Sequence, residues 1–105
     1  MKHGHFAEHW LAPTLGSPVH MPAGGVSTGR GFTISWQNGP LGRGNTRQEP
    51  NGAFVEDVIQ AVIERIEFYQ HHFPCQENED ALLGLYQAAQ RLDDARLRGR
   101  INTKG

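Results

Sequence analysis

The sequence lacks the features on which several large classes of protein depend. Its single cysteine, Cys75, excludes an intramolecular disulfide and a cysteine-based zinc cluster, and suits the reducing cytoplasm. No apolar run approaches the roughly 20 residues of a membrane helix, and the start is too rich in His and Pro for a signal peptide. Lys and Arg number 10 against 11 Asp and Glu, so nothing marks a surface for duplex nucleic acid or anionic membrane. We therefore expect a cytoplasmic protein.

The 105 residues suffice for one domain, or for a small domain with a tail. Most glycines precede Ala53, so the chain divides into an irregular front half and a regular back half. Pro13, Pro18 and Pro22 would interrupt any helix near the start. We expect four segments, namely a flexible or partly ordered N-terminal arm (1–25), a β-strand and Gly/Pro-rich loop region (26–51), a helical hairpin (52–100) and a tail (101–105).

Residues 32–37 alternate apolar and polar side chains, which predicts a half-buried strand. Phe32, Ile34 and Trp36 would share its core face. The strand should end at Asn38-Gly39-Pro40, because proline cannot continue the hydrogen-bonded ladder. We expect 26–28 to be a short partner strand across a turn at 29–31, and 41–51 to be a loop.

Two amphipathic helices are predicted in the back half. Apolar residues of the first follow at spacings of four, three, four and three, and they are Val55, Ile59, Val62, Ile66 and Tyr69. Val58 and Ile63 widen this stripe, and Pro74 ends the helix. The second helix has the spacing of a coiled-coil seam at Leu82, Leu85, Ala89 and Leu92. Few residues separate the helices, so they must be antiparallel neighbours. The predicted fold class is α+β, a short antiparallel sheet followed by a two-helix hairpin.

The hairpin is too small to be stable alone. Below about 70 to 80 residues a single core supplies only a few kcal/mol and usually needs a disulfide, a metal or a partner. Phe54 and Phe68 stand beside the over-wide apolar stripe and offer surface for a second subunit. We therefore expect a homo-oligomer. The alternative is that the strand and the arm cover the stripe within one chain.

No metal, cofactor or catalytic residue is predicted. His3, His5 and His9 lie in the arm, and the adjacent His71 and His72 would point about 100° apart on a helix, which makes them poor co-ligands. No His-Glu-x-x-His zinc motif occurs. Nothing resembles a nucleophile elbow, and Cys75 is interpreted as a small buried hydrophobic residue.

Two places could bind phosphate. The glycine-rich run 39–44 exposes backbone amides around Arg43, a candidate anion nest, although it lacks the ending of a Walker loop. Arg96 and Arg100 are four residues apart and would face one side of the second helix. The alternatives are a plain surface loop and a solvated, charged helix end.

An ordered series of short motifs resembles a known family. The motifs are Phe32–Pro40, Asn51–Val58, Arg65–Gln70, Cys75–Asn78 and Ala81–Leu82. They are similar to the Thoeris anti-defence sponges of phages, whose helical hairpin is shared with anti-CBASS sponges. The resemblance extends from about Gly31 to Arg100 and keeps the order and spacing of the motifs.

Several properties are implied by this resemblance. Such sponges are not enzymes; they bind immune signalling nucleotides, such as glycocyclic ADP-ribose or cyclic oligonucleotides, and keep them from the effector. The resemblance implies homodimers, often gathered into hexamers, with ligand pockets where subunits meet. It implies that Phe68 stacks on a base, that Asn78 hydrogen-bonds the ligand, and that Arg96 and Arg100 neutralise phosphates. Tyr69 and Arg43 complete the candidate ligand-binding residues.

The chain departs from the family pattern in two places. Arg91 stands where the family usually has a tryptophan, and the arginine pair comes one residue late. A shift of one residue turns a side chain by about 100° around the helix axis. The two arginines would therefore face a different side of the helix from those of the family pattern. On local grounds alone, Phe68 and Tyr69 would be core residues and Asn78 a helix N-cap. The alternative function is a small homo-oligomeric interaction protein without a nucleotide ligand.

Overall fold

The computed structural model describes residues 5–13, 16, 20–39, 41–42 and 44–97. It contains three strands, β1 (Phe6–Pro13), β2 (His20–Gly29) and β3 (Phe32–Trp36), then a short 3-10 turn, then helices α1 (Val55–His72) and α2 (Gln76–Leu97). The chain forms two compact units, one before Val55 and one from Val55 onward. The predicted α+β class, with an antiparallel sheet before two helices, is confirmed.

The three strands form one antiparallel sheet in the order β1-β2-β3. Gly29 pairs with Phe32, so only Arg30 and Gly31 form the turn between β2 and β3. Gly31 has a φ of 86°, which suits a two-residue hairpin turn. A Cβ on Gly29 would come within 2.3 Å of the Phe32 ring, so this glycine makes room for the ring. The partner strand predicted at 26–28 is present and longer than expected.

The segment before Val26, expected as a flexible or partly ordered arm, contains β1 and the start of β2. The register between these strands shifts after His9, because His9 pairs with Gly25 whereas Leu11 pairs with Pro22. Before Gly25, β2 pairs with β1 alone. Pro22 therefore lies at an edge of the sheet, where a residue without a backbone N–H is tolerated. The bulge breaks the alternation of side chains and thereby hides these strands in the sequence.

The core of the first unit lies around the end of β3 rather than along it. Leu41 and Phe54 are buried, as is the polar side chain of Gln37, which is 3% exposed. Ile34 and Trp36 are half-buried, but Phe32 is 47% exposed, so the predicted common core face holds only in part. Phe32 instead lies over the bare backbone of Gly29.

A set of hydrogen bonds joins Gln37–Gly39 to Asn51–Ala53, and we call it the Gln37 clasp. These residues belong to the first two motifs of the sequence. The Gln37 side chain accepts from the backbone N–H groups of Asn51 (2.9 Å) and Gly52 (3.1 Å), and donates to the carbonyl of Gly39 (3.0 Å). Asn38 and Asn51 exchange two further hydrogen bonds. A Cβ on Gly52 would lie 2.6 Å from the Trp36 carbonyl, so only glycine fits there. The clasp closes the loop between β3 and α1.

The two helices of the second unit are antiparallel neighbours, as predicted. Tyr86 on α2 meets Glu67 on α1, and Arg96 further along α2 meets Glu56 near the start of α1. Ile63 and Leu82 are buried, and Leu85, Ala89 and Leu92 are half-buried, as the predicted seam of α2 requires.

The apolar stripe of α1 is wider than α2 covers. Ile63, expected at the margin, is its most buried residue at 3% exposure. Val55, Val62 and Tyr69, expected in the seam, remain 40%, 41% and 39% exposed. These three follow one another at seven-residue spacing, which places them on one face of the helix. The single chain therefore leaves a continuous apolar strip on α1 in contact with solvent.

Candidate functional site

The last two turns of α1 carry what we call the aromatic cluster, made of Arg65, Phe68, Tyr69 and His72. Spacings of three and four residues place these side chains on one face of the helix. The Phe68 ring lies 6.0 Å from the Tyr69 ring and 4.6 Å from the His72 ring, centroid to centroid. The Arg65 guanidinium carbon lies 4.9 Å from the centroids of both Phe68 and Tyr69.

The aromatic cluster is exposed rather than buried. Phe68 is 48% exposed, so its local interpretation as a core residue does not hold in the single chain. Tyr69 is 39% exposed and its hydroxyl accepts a hydrogen bond from Nε of Arg65 at 3.1 Å. Large aromatic side chains left in water are available to stack on a planar group.

Asn78 lies at the same end of the hairpin, in the first turn of α2. Its side-chain amide donates to the carbonyl of Phe73 at 3.3 Å, and Phe73 in turn donates its N–H to Tyr69. The side-chain oxygen of Asn78 accepts no hydrogen bond from any residue that the structure describes. Asn78 thus ties the start of α2 to the end of α1 and keeps one acceptor available.

The interpretations of Asn78 as an N-cap and of Cys75 as a buried residue are both wrong. The helix begins at Gln76, which makes Cys75 the cap, and the Cys75 sulfur accepts the backbone N–H of Asn78 at 3.4 Å. Cys75 is exposed, and its own N–H donates to the side chain of Gln70. The reason is that α2 begins earlier than the acidic residues suggested, which places Asn78 inside its first turn and Cys75 at the exposed turn before it.

Arg96 is paired with two carboxylates. It donates to Asp93, and its Nε lies 3.8 Å from Oε2 of Glu56. The hydrogen bond and charge of Asp93, and then the more distant charge of Glu56, raise the pKa of Arg96 above its usual range. Oε2 of Glu56 is buried and accepts no hydrogen bond, because 3.8 Å is too long for one. Arg96 is therefore held within its own chain.

The predicted site residues do not all meet in one subunit. Phe68, Tyr69 and Asn78 gather at the turn between the helices, whereas Arg96 lies at the other end of α2. Eighteen residues separate Asn78 from Arg96, or about 27 Å at about 1.5 Å per helical residue. Arg100 and Arg43 lie outside the described residues. Three glycines of the proposed anion nest are described, Gly39, Gly42 and Gly44. Their φ angles are 81°, 87° and 56°, which lie in the left-handed region that glycine adopts readily.

Sequence reasoning gave Arg65 no role. The spacing Arg65–Phe68–Tyr69 was a usable signal, because a cation three and four residues before two aromatic residues lies over both on a helix.

A second unforeseen contact joins the helices, where the Tyr86 hydroxyl donates to Glu67 at 2.6 Å. This hydrogen bond, together with burial and the negative charge of Glu67, raises the pKa of Tyr86.

Within the described ranges, no three His, Cys, Asp or Glu side chains are placed to hold a metal ion. None of the helices resolved in those ranges is long and apolar enough to cross a membrane. The chemistry that the site offers is therefore that of stacking surfaces, an amide acceptor and arginines.

A protein named Thoeris anti-defense 1, from Bacillus phage SBSphiJ7, is 32% identical to this chain over 94 residues. The match covers 76% of this chain and 63% of that protein, so the chain spans less than two thirds of its relative's length. No protein-family model matches the sequence, and no solved structure matches the chain. The matched relative bears the name that the motif series predicted.

Proposed function

The chain belongs to the Thoeris anti-defence family of phages, and from that membership we propose that it is a non-enzymatic nucleotide sponge. It binds immune signalling nucleotides of the glycocyclic ADP-ribose type, and cyclic oligonucleotides as a second class, in the cytoplasm of the infected cell. Sequestration keeps the signal from the effector and so blocks Thoeris and CBASS defence. The observation that carries this proposal is the exposed aromatic cluster beside Asn78.

Recognition of the base rests on Phe68 and Asn78. A base stacked on an aromatic side chain is worth about 1–3 kcal/mol, and Phe68 offers a surface that is nearly half exposed. The uncommitted oxygen of Asn78 can accept from an exocyclic amine of the base. Tyr69 extends the apolar surface next to Phe68.

A complete pocket requires a second copy of the chain. The arginine side chain cannot bridge the roughly 27 Å of helix that separates Arg96 from Asn78. In an antiparallel pair of hairpins, Arg96 of one subunit lies beside Phe68 of the other. The exposed strip of Val55, Val62 and Tyr69 has the heptad spacing with which helices associate. We therefore propose a homodimer, with hexamers as a higher assembly.

To bind a phosphate, Arg96 must release the two carboxylates with which it is paired. Its present partners, Asp93 and Glu56, are carboxylates, and we propose that a ligand phosphate displaces them. Each phosphate of a cyclic nucleotide carries one negative charge and two terminal oxygens, as a carboxylate does, and arginine can bind it with two parallel hydrogen bonds. Arg100, four residues later in the sequence, and Arg43 of the glycine-rich run 39–44 are the other proposed phosphate contacts.

The second candidate is a homo-oligomeric interaction protein without a nucleotide ligand. The observation that favours it is the exposure of Phe73, Leu83 and Leu97, which are 76%, 58% and 76% exposed and need no nucleotide to explain them. Under that hypothesis no nucleotide raises the melting temperature of the protein.

Calorimetric titration with glycocyclic ADP-ribose tests the proposal. We expect tight binding by the wild type and a loss of roughly ten- to a hundredfold in Phe68→Ala, the size of one lost stacking contact. Asn78→Ala should also weaken binding. Phe32→Ala is the matched control, because Phe32 is equally exposed but lies in the sheet. Equal affinities of Phe68→Ala and Phe32→Ala would contradict the assignment of the base platform.

A further inference from the structure

Arg65 lies between the two exposed rings of the aromatic cluster. Its guanidinium carbon is 4.9 Å from each ring centroid, and its Nε donates to the Tyr69 hydroxyl at 3.1 Å. The residue itself is exposed. Cation–π contact with two rings holds a guanidinium group in one place without neutralising its charge.

No carboxylate is paired with Arg65 among the residues for which the structure gives positions. The acidic residues beside it in the sequence are engaged elsewhere, since Glu67 accepts from Tyr86 and Glu64 accepts from Gln60. An arginine carries five N–H donors, and the bond to Tyr69 uses one of them. Arg65 thus differs from Arg96, which is bound by two carboxylates.

We propose that Arg65 binds a phosphate of the same nucleotide whose base stacks on Phe68. This inference rests on the proposed nucleotide-binding function and adds a residue to the same site. Charge-assisted bonds place a phosphate oxygen about 2.8 Å from a guanidinium nitrogen. Because the guanidinium lies 4.9 Å from the Phe68 centroid, such a phosphate lies beside a base on that ring.

The arrangement makes one subunit able to grip both parts of a nucleotide. The base takes the ring of Phe68, and the phosphate takes the donors of Arg65 that the rings leave open. The guanidinium is already positioned, so less side-chain freedom is lost when the ligand binds. Arg65 thereby supplies positive charge at the end of the hairpin that Arg96 of the same subunit cannot reach.

The test compares four full-length proteins by calorimetric titration with glycocyclic ADP-ribose at several salt concentrations. They are the wild type, Arg65→Gln, Arg65→Lys and the control Arg30→Gln, which removes an exposed arginine from the turn between β2 and β3. We expect Arg65→Gln to weaken binding roughly ten- to a hundredfold, as the loss of charge-assisted hydrogen bonds would. We also expect it to flatten the salt dependence, because a contact between charges is screened by salt.

Arg65→Lys separates charge from geometry. It keeps the charge and loses the two-pronged hydrogen bonding, so we expect intermediate affinity with the salt dependence of the wild type. Arg30→Gln should match the wild type in both respects. Melting curves of each variant show whether the fold is kept; if Arg65→Gln unfolds, Arg65→Lys decides alone, and wild-type affinity in it contradicts the inference.

The two levels of the proposal fail in different ways. If the wild type binds the ligand and Arg65→Gln binds it equally well with the same salt dependence, the role of Arg65 is refuted and the sponge function stands. If the wild type binds neither glycocyclic ADP-ribose nor a cyclic trinucleotide, the proposed function is refuted and the role of Arg65 with it.

Discussion

Replacing Gln37 by Met removes the polar atoms of the Gln37 clasp while keeping the length and volume of the side chain. Gln37 is 3% exposed, so the replacement changes no surface property. It leaves the backbone N–H groups of Asn51 and Gly52 and the carbonyl of Gly39 without the partners they have now. The motifs on either side of the loop would then be held mainly by the Asn38–Asn51 pair and the backbone bonds of Ala53.

The expected cost follows from the number of bonds lost. Each hydrogen bond contributes about 0.5–1.5 kcal/mol net, and more when a buried group is left without a partner. Three bonds therefore give about 2–4 kcal/mol, with water relieving part of the loss at the exposed Asn51. For a chain of this size that loss lowers the melting temperature by roughly 10–20 °C.

Urea unfolding followed by circular dichroism measures this change. Gln48→Met is the matched control, because the Gln48 side chain is exposed and only its backbone N–H is bonded, to Leu41. We expect the control within about 0.5 kcal/mol of the wild type. All proteins are compared at one concentration, since association shifts apparent stability. Equal unfolding midpoints for the two variants would show that the Gln37 side chain does not hold the two motifs together.

Two further predictions concern the hairpin. The hydrogen bond from Tyr86 to Glu67 raises the pKa of Tyr86 in the folded protein. The bond therefore stabilises the fold below the usual tyrosine pKa of about 10. This stabilisation is lost as the pH rises through the higher pKa of the folded state. Tyr86→Phe should therefore unfold at lower urea than the wild type at pH 7 and pH 9, with the difference closing above pH 10; a difference unchanged at the highest pH would contradict this. Val62→Asp places a charge in the exposed strip of α1 and should shift the molar mass measured by light scattering towards the monomer, whereas Ala61→Asp, on an exposed neighbouring position, should not. A wild-type mass for Val62→Asp would exclude the strip as the subunit contact.

The regular elements with an uninterrupted pattern could be predicted from the sequence. Strand β3 shows a perfect alternation, and both helices show spacings of three and four that fit no strand. Strand β1 was missed because its bulge after His9 breaks the alternation, and because Pro22 in its partner reads as a breaker. Periodicity finds such strands only where the pairing register is continuous.

Which apolar residues face inward could not be predicted for α1. Val55, Val62 and Tyr69 form one regular row, and Ile59, Ile63 and Ile66 form another beside it. Both rows have helical spacing, so only the position of α2 decides between them, and it leaves the first row exposed.

The candidate site, too, could be predicted from the sequence only in part. Phe68 and Asn78 were found through the motifs, but the two motifs around Gln37 and Gly52 turned out to form a clasp within the fold. A sequence cannot show that a Cβ on Gly52 would lie only 2.6 Å from the Trp36 carbonyl. It also cannot show that Arg96 is paired with Glu56, because the two residues are 40 positions apart in the sequence and meet only when the helices pack.

The proposed sponge holds a signalling nucleotide and leaves it unchanged. The most direct measurement incubates the full-length wild type with glycocyclic ADP-ribose, removes free ligand, denatures the protein by heat and analyses the released nucleotide by mass spectrometry. We expect intact ligand to be recovered in a fixed ratio to the protein, and the same sample before heating to leave a Thoeris effector inactive. Recovery of a hydrolysed nucleotide, or of no nucleotide at all, would contradict it.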